Sequence, residues 1–378
     1  MKAVGIISEF NPFHSGHAYL IEEAKKVTGA EFAVVIMNGN FVQRGEPAVF
    51  DKYTRTEQAL KGGADLIFEL PLRFGISSAG DFALGGILAL SSLGFVSDIC
   101  FGSECGNIHL LSEIALLLSR EEDKFRHALD EALRHGLSYP AARACALSEI
   151  SSMDESILSQ PNNILGIEYC LSILKTGSSL NPLTIMRDGQ AHQDSSPDTE
   201  KEHPSGAALR EQIYGSSTPH LTLEDFSEMI GYALFRCEDL TRYKDISPDL
   251  ADRMKKYIGD YHSVSDFISQ CQTKAYTTGR IRRGILQCLL SMEQTQPVMP
   301  YLRILGMKKE ASCLLRQSGS ASSCILINKL STDINTLTPF AKHLLEQDLF
   351  ASHLYRQTFC RKYNIELPNE FQRSPIIV

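Results

Sequence analysis

The first hundred residues alternate between two hydrophobic periods, and this restricts the fold more than any other feature of the chain. "AVGIIS", "EFAVVIM", "ADLIFELP" and "VSDICFGSE" are short, apolar, β-rich runs. Between them, "HAYLIEEAKKV", "DKYTRTEQALKGG" and "SAGDFALGGILALSSLG" have helical spacing. The glycine pair Gly62–Gly63 predicts a helix stop, and Pro71 ends the third run. Strand and helix alternating at this interval predict a parallel sheet with helices on both faces. Nearly continuous apolar strands are what a sheet covered on both sides requires. The expected class is α/β, with a doubly wound, Rossmann-like N-terminal domain.

From about Ile108 the helical period dominates. "LSEIALLLSREEDKFRHALDEALRHG", "YPAARACALSEI" and "NNILGIEYCLSILKTG" predict four helices, and "NPLTIMR" predicts one more strand ending at Arg187. The polar "DGQAHQDSSPDTEKEHPSG" predicts an exposed, mobile loop. Beyond Leu221 the pattern predicts mainly helices. The expectation is a catalytic domain over 1–218 and an α-helical domain over 219–378, within what 378 residues can support. No apolar run reaches the roughly 18 residues a membrane span needs. "MKAVGIISEF" meets Glu9 and an Asn-Pro pair before a signal-peptide core could form. The ten cysteines include no C-x-x-C pair, so they read as reduced thiols of a cytoplasmic protein. A net charge of −8 disfavours general adhesion to nucleic acid but permits a local basic groove.

The sharpest chemical signal is "SEFNPFHSGHAYLIEEAKK", which places His14, Gly16 and His17 where the first strand passes into the first helix. Ligands of open α/β sheets bind at the carboxyl ends of strands. A helix start offers free N–H groups and a positive dipole end, which suit phosphate. Gly16 permits close backbone approach. Two imidazoles there can stabilise charge that builds on phosphoryl oxygens. Two other readings stay open: a metal half-site, which lacks both an HEXXH spacing and a nearby Cys/Asp cluster, and ordinary surface histidines at a helix start.

"FNPFHSGH" resembles the H-x-G-H signature of the nucleotidyltransferase superfamily, whose HUP-type domains are related to class I aminoacyl-tRNA synthetases. Longer runs resemble the bacterial tRNA(Met) cytidine acetate ligases: "GIISEFNPFHSGHAYLIEEAK", "VIMNGNFVQRGEPAVFDKYTR", "GADLIFELP", "FGSE", "PNNILGIEY", "TKAYTTGRIRRGILQCLL" and "PYLRILG". These cover most of the chain. The resemblance implies a soluble ligase that activates acetate with ATP, releases pyrophosphate, and acetylates the exocyclic amine of the wobble cytidine of elongator tRNA(Met). The product is N4-acetylcytidine. Magnesium is expected with the ATP phosphates.

The resemblance also implies site residues. Ile7, Ser8, Glu9, Phe10, Asn11, Pro12, Phe13, His14, Ser15, Gly16, His17, Ala18, Tyr19 and Leu20 match the ATP stretch, with His14 and His17 catalytic. Gly102 would approach adenine or ribose, though a plain turn glycine reads equally well. Asn162, with Asn163 as second choice, would contact ATP; a helix N-cap is the other reading for one of them. Arg187 would pair with phosphate, or else form a surface salt bridge. Ser205 and Arg210 keep the ends of a second phosphate-binding helix start. Gln43, Arg44, Lys52 and Arg55 read as a lid or wall of the acetate and cytidine pocket, or as a solvated connection. Lys274, Arg280, Arg282 and Arg283, with Tyr276 among them, form the densest basic cluster; tRNA docking and a charged helix face both fit. Three other functions remain: another adenylyltransferase making a nucleotide cofactor, a non-catalytic nucleotide or RNA binder, and an acetyl-CoA-dependent acetyltransferase.

Overall fold

The structure, a computed structural model, describes residues 1–120, 123–151, 155–187, 205–321 and 323–378. The polar stretch over 188–204, expected to be a loop, lies outside them.

The N-terminal alternation folds as its pattern predicts: β1 (Ala3–Ser8), α1 (Ser15–Thr28), β2 (Phe32–Asn38), α2 (Lys52–Lys61), β3 (Leu66–Leu70), α3 (Ala79–Leu93) and β4 (Val96–Ser103). Helices over 108–120, 123–134 and 139–151 lead to α4 (Pro161–Thr176), β5 (Asn181–Met186) and α5 (Gly206–Tyr214). Local chemistry sets the boundaries. Gly29, at φ 65°, closes α1 by donating to the carbonyls of Lys25 and Lys26. Asp51 caps α2 by accepting from Tyr53 and Thr54.

Strand side chains alternate between two cores. Ala3 and Ile7 of β1, Val34 and Ile36 of β2, and Leu66 and Phe68 of β3 face α3 and α4. Val4, Ile6, Val35 and Ile67 face α1 and α2. Both faces are apolar because both are covered. Each Val, Ile, Leu or Phe among them contributes roughly 1.5–3 kcal/mol on burial.

Beyond α5 the chain builds a second core from helices over 227–236, 248–258 and 264–271, and from α6 (Thr278–Leu289). Three short strands then interrupt the mainly helical pattern expected to the end. β6 (Tyr301–Met307) enters the first sheet antiparallel to β3, β7 (Ile325–Ile327) pairs with β6, and after α7 (Pro339–Tyr363) β8 (Ile376–Ile377) does the same. A seven-residue apolar run such as "YLRILGM" has no period that separates a buried strand from a buried helix turn. The region over 219–378 is mainly helical, and its three short strands β6, β7 and β8 join the N-terminal sheet.

The sheet order is β8–β6–β3–β2–β1–β4–β5, with β7 on β6. From β1 the chain moves outward through β2 and β3, then returns to place β4 and β5 on β1's other side. The order reverses between β1 and β4, so the crevice at their carboxyl ends is the expected ligand site of such a sheet. Among the described residues no helix is long and apolar enough to cross a membrane.

Candidate active site

The loop from β1 to α1 is held from several directions. Asn11 Oδ1 accepts the Val49 N–H at 2.8 Å. Arg55, fully buried on α2, donates to the carbonyls of Glu9 at 2.6 Å and Phe50 at 3.0 Å, and to that of Gly39. Arg210 of α5 donates to the Asn11 carbonyl at 2.7 Å. Phe10 takes a left-handed φ of 46°, and its ring lies 4.8 Å from that of His17 and 5.0 Å from that of Phe13. Left-handed backbone at a phenylalanine is costly and persists because these contacts over-determine it.

His14 is the N-cap of α1, and His17 lies one turn in, with their rings stacked 3.7 Å apart. The His14 main-chain N–H donates to His17 Nδ1 at 3.3 Å. An accepting Nδ1 puts the His17 proton on Nε2. Burial, then the positive charge of His14 and Arg187, holds the His17 pKa well below the ordinary imidazole value. At neutral pH His17 is therefore a neutral N–H donor at the positive end of the α1 dipole. This arrangement receives anionic oxygens without needing a protonated ring.

Both histidines line a cavity of about 1070 Å³ at the switch point. Among the described residues nine Lys and Arg side chains line it against four carboxylates. In a chain of net charge −8 this concentrates positive potential in one cleft. Ile7, Ser8, Glu9, Phe10, Asn11 and Leu20 also reach the wall. Pro12, Phe13, Ser15, Gly16, Ala18 and Tyr19 are absent from that lining and shape the loop and first turn. Gly102 lies inside β4 opposite Ile185, not in a turn. A Cβ there would come within 3.0 Å of Arg187 Cγ, so glycine lets the arginine stem lie across the strand. Arg187 follows β5 and keeps solvent access through the cavity, yet its surroundings are desolvated enough to lower its pKa, against the pull of Glu104. No carboxylate forms an ion pair with it among the described residues.

The two asparagines divide their tasks. Asn163 is fully buried; its Oδ1 accepts from the Glu104 and Cys105 N–H groups, and its Nδ2 donates to Ile157 and Gln160. Asn162 lines the cavity. Neither is an N-cap: Gln160 holds that position, and the Glu104 carboxylate accepts the N–H groups of both asparagines. Ser205 caps α5 by accepting from Ala208, which sets Gly206 beside His14. Two helix starts, α1 and α5, thus meet at the histidine pair.

Residues 1–369 match the family model described as HIGH Nucleotidyl Transferase. The tRNA(Met) cytidine acetate ligase of Caldicellulosiruptor saccharolyticus is 37% identical, with the alignment covering 100% of this chain and 99% of that one. The protein of the same name from Acetivibrio thermocellus is 33% identical over the whole of both chains. This chain belongs to the tRNA(Met) cytidine acetate ligase family. The crystal structure of apo Thermotoga maritima TmcAL superposes with a TM-score of 0.89 at 27% identity, covering 100% of both chains. The same protein bound with alpha-thio ATP gives 0.85 at 28% identity, covering 100% of this chain and 99% of that one.

Within this family frame, two groups of expected residues lie elsewhere than the sequence suggests. Gln43 and Arg44 reach the cavity, but Lys52 and Arg55 do not. Lys52 is fully buried against Glu69 at 2.7 Å and Glu370 at 3.1 Å, and Arg55 ties the motif loop. Both turn inward because α2 packs them against the sheet. The basic cluster is also largely committed. Arg282 pairs with Glu46 of the short hairpin over 41–47, and Arg283 pairs with Asp245 at 2.8 Å. Gly45, at φ 76°, makes the first contact possible; a Cβ there would meet the Arg283 nitrogen at 2.6 Å. Arg280 lies 5.5 Å from the Tyr276 ring and faces the cavity, while Lys274 is exposed. Sequence reasoning missed Glu104, Asp81–Lys244 and Arg143–Glu168, all at the cavity or its rim. The "FGSE" stretch marked Glu104; the two ion pairs left no local signal.

Proposed function

We infer that this protein activates acetate with ATP and transfers the acetyl group to the wobble cytidine of elongator tRNA(Met), giving N4-acetylcytidine. The carrying observation is the stacked His14–His17 pair at the start of α1, with His17 held neutral, in a cationic cleft, within a chain that spans the full length of its family relatives. The first step joins an acetate oxygen to the α-phosphorus of ATP and expels pyrophosphate. His17 Nε2–H, the N–H groups of α1 and Arg187 take the charge that develops on the phosphoryl oxygens. Asn162 and Gly102 face the nucleoside, and Arg210 holds Asn11 for the same ligand. In the second step the cytidine amine attacks the acetyl carbon, and AMP leaves.

Magnesium belongs with the nucleotide, neutralising its phosphates. Among the described residues no three His, Cys, Asp or Glu side chains converge on one metal position. Arg280 and Lys274 are the members of the basic cluster left to meet RNA phosphate. A tRNA substrate places the reaction in the cytoplasm. The test is labelled acetate with ATP and tRNA(Met), followed by nucleoside analysis. Label in N4-acetylcytidine, dependent on ATP, is expected; label from acetyl-CoA without ATP would overturn the reading.

A further inference from the structure

Among the described residues four carboxylates reach the cavity: Glu9, Asp81, Glu168 and Asp245. Three are neutralised. Asp81 meets Lys244 at 2.6 Å, Glu168 meets Arg143, and Asp245 meets Arg283 at 2.8 Å. Glu9 differs. Among the described residues no cation lies within ion-pair distance of it, and its side chain makes one hydrogen bond, Oε1 accepting the Gln43 N–H at 2.8 Å. Arg55 and Arg210, whose fields reach it, direct their N–H groups to the carbonyls of Glu9, Gly39, Phe50 and Asn11 instead.

Its position is defined at both ends. Arg55 fixes the Glu9 carbonyl, and Gln43 fixes one carboxylate oxygen. Gln43 in turn donates from Nε2 to the Ser77 carbonyl at 3.1 Å. The hairpin carrying Gln43 is seated on the start of α6 through Glu46 and Arg282. The Glu9 side chain is thus tied through Gln43 to the hairpin seated on α6, and it lines the same cavity as the histidine pair and Arg280.

We propose that Glu9 accepts the proton released by the exocyclic amine of the acceptor cytidine during acetyl transfer. This rests on the function inferred above. In that step the amine nitrogen forms a bond to the acetyl carbon, and the carbon–oxygen bond to the adenylate phosphate breaks. AMP leaves with the electron pair, and the nitrogen sheds one proton. An ionised carboxylate is an acceptor-only group, so it takes an N–H of cytosine and turns away the O4 acceptor of uridine. The histidines cannot fill this role while they donate to phosphate.

The experiment separates the two half-reactions in Glu9→Gln and Glu9→Asp. Activation is read as acetate-dependent exchange of pyrophosphate into ATP. Transfer is read in a single turnover of enzyme loaded with labelled acetate and ATP, mixed with saturating tRNA(Met). In Glu9→Gln the ratio of transfer to exchange should fall about 100-fold or more, the size of a lost general base. In Glu9→Asp, which keeps the carboxylate but draws it back by one methylene, it should fall about three- to tenfold. An unchanged ratio in both variants, or equal loss of both half-reactions, overturns the proposal. If Glu9→Gln does not fold, a ratio in Glu9→Asp equal to wild type overturns it. Absence of acetate-dependent exchange in the wild type refutes the inferred function instead.

Discussion

Two regions of this protein carry dense charge, and they treat it in opposite ways. At the carboxyl ends of β1 and β4, His14, His17 and Arg187 face an open cleft, with Arg187 in no ion pair among the described residues. At the ends of β2 and β3, strand positions that also suit ligands, the returning C-terminal segment plugs the sheet. There Lys52, Glu69, Arg303 and Glu370 form a buried network with Tyr53, and every charge has a counter-charge. Burial alone would raise the Glu370 pKa, yet Lys52 and Arg303 outweigh it and hold the carboxyl at about 2. The difference is one of commitment. Charge matched inside the fold specifies how the chain closes; charge facing the cleft remains for a ligand.

The strongest way to break this comparison is at the cleft. Changing His14 and His17 together to Ala should reduce acetate-dependent pyrophosphate release by about 1000-fold or more, with a melting curve close to wild type. Loss of folding instead would make the pair structural. At the plug the order should reverse. Lys52→Met leaves Glu69 and Glu370 to share the single charge of Arg303 and should cost roughly 3–5 kcal/mol in urea unfolding. A cost near zero would show that the network is dispensable.

Asp348 sharpens the picture through pH. It accepts from the Leu72 N–H and the Tyr301 hydroxyl, and burial, aided by the nearby negative charge of Glu69, pushes its pKa up to about 7. The folded state thus favours its protonated form. The stability from this group is full below its unfolded pKa near 4 and is lost as pH rises through about 7. Asp348→Asn should flatten the fall in unfolding free energy between about pH 4 and 7, a difference on the order of 4 kcal/mol. Arg187→Ala should raise the KM for ATP about tenfold, as expected for one charge-assisted contact. The smallest effect belongs to Arg282. Because Glu46 already holds its charge, Arg282→Ala should change tRNA affinity less than about twofold and leave its salt slope unaltered. A slope reduced by about one unit would show that the pair opens for RNA.

Much of the architecture was legible because it is written in local periods. Alternating runs predicted β1 to β5 and the helices between them, since a strand covered on both faces must be apolar along its length. The motif "FNPFHSGH" was legible for a similar reason: the end of a strand and the start of a helix lie next to each other in sequence and in space. β6 was not legible, because "YLRILGM" carries an arginine and has no period. Arg303 lies inside that strand only because Glu69, on the neighbouring strand, and Glu370 meet it there. The division between Asn162 and Asn163 was likewise hidden, as it depends on the Glu104 loop.

Sequence alone determined the class of fold, the switch-point location of the site and the residues that start α1. The tertiary structure decided which charges remain for ligands. Lys52 and Arg55 read as pocket residues until α2 turned them into the protein. Arg282 read as an RNA contact until Glu46, 236 positions away, was found beside it. Glu9 read as one residue of a nucleotide stretch until the other carboxylates of the cavity proved to be paired. Pairing over such separations follows from chain closure in three dimensions, and no local pattern encodes it.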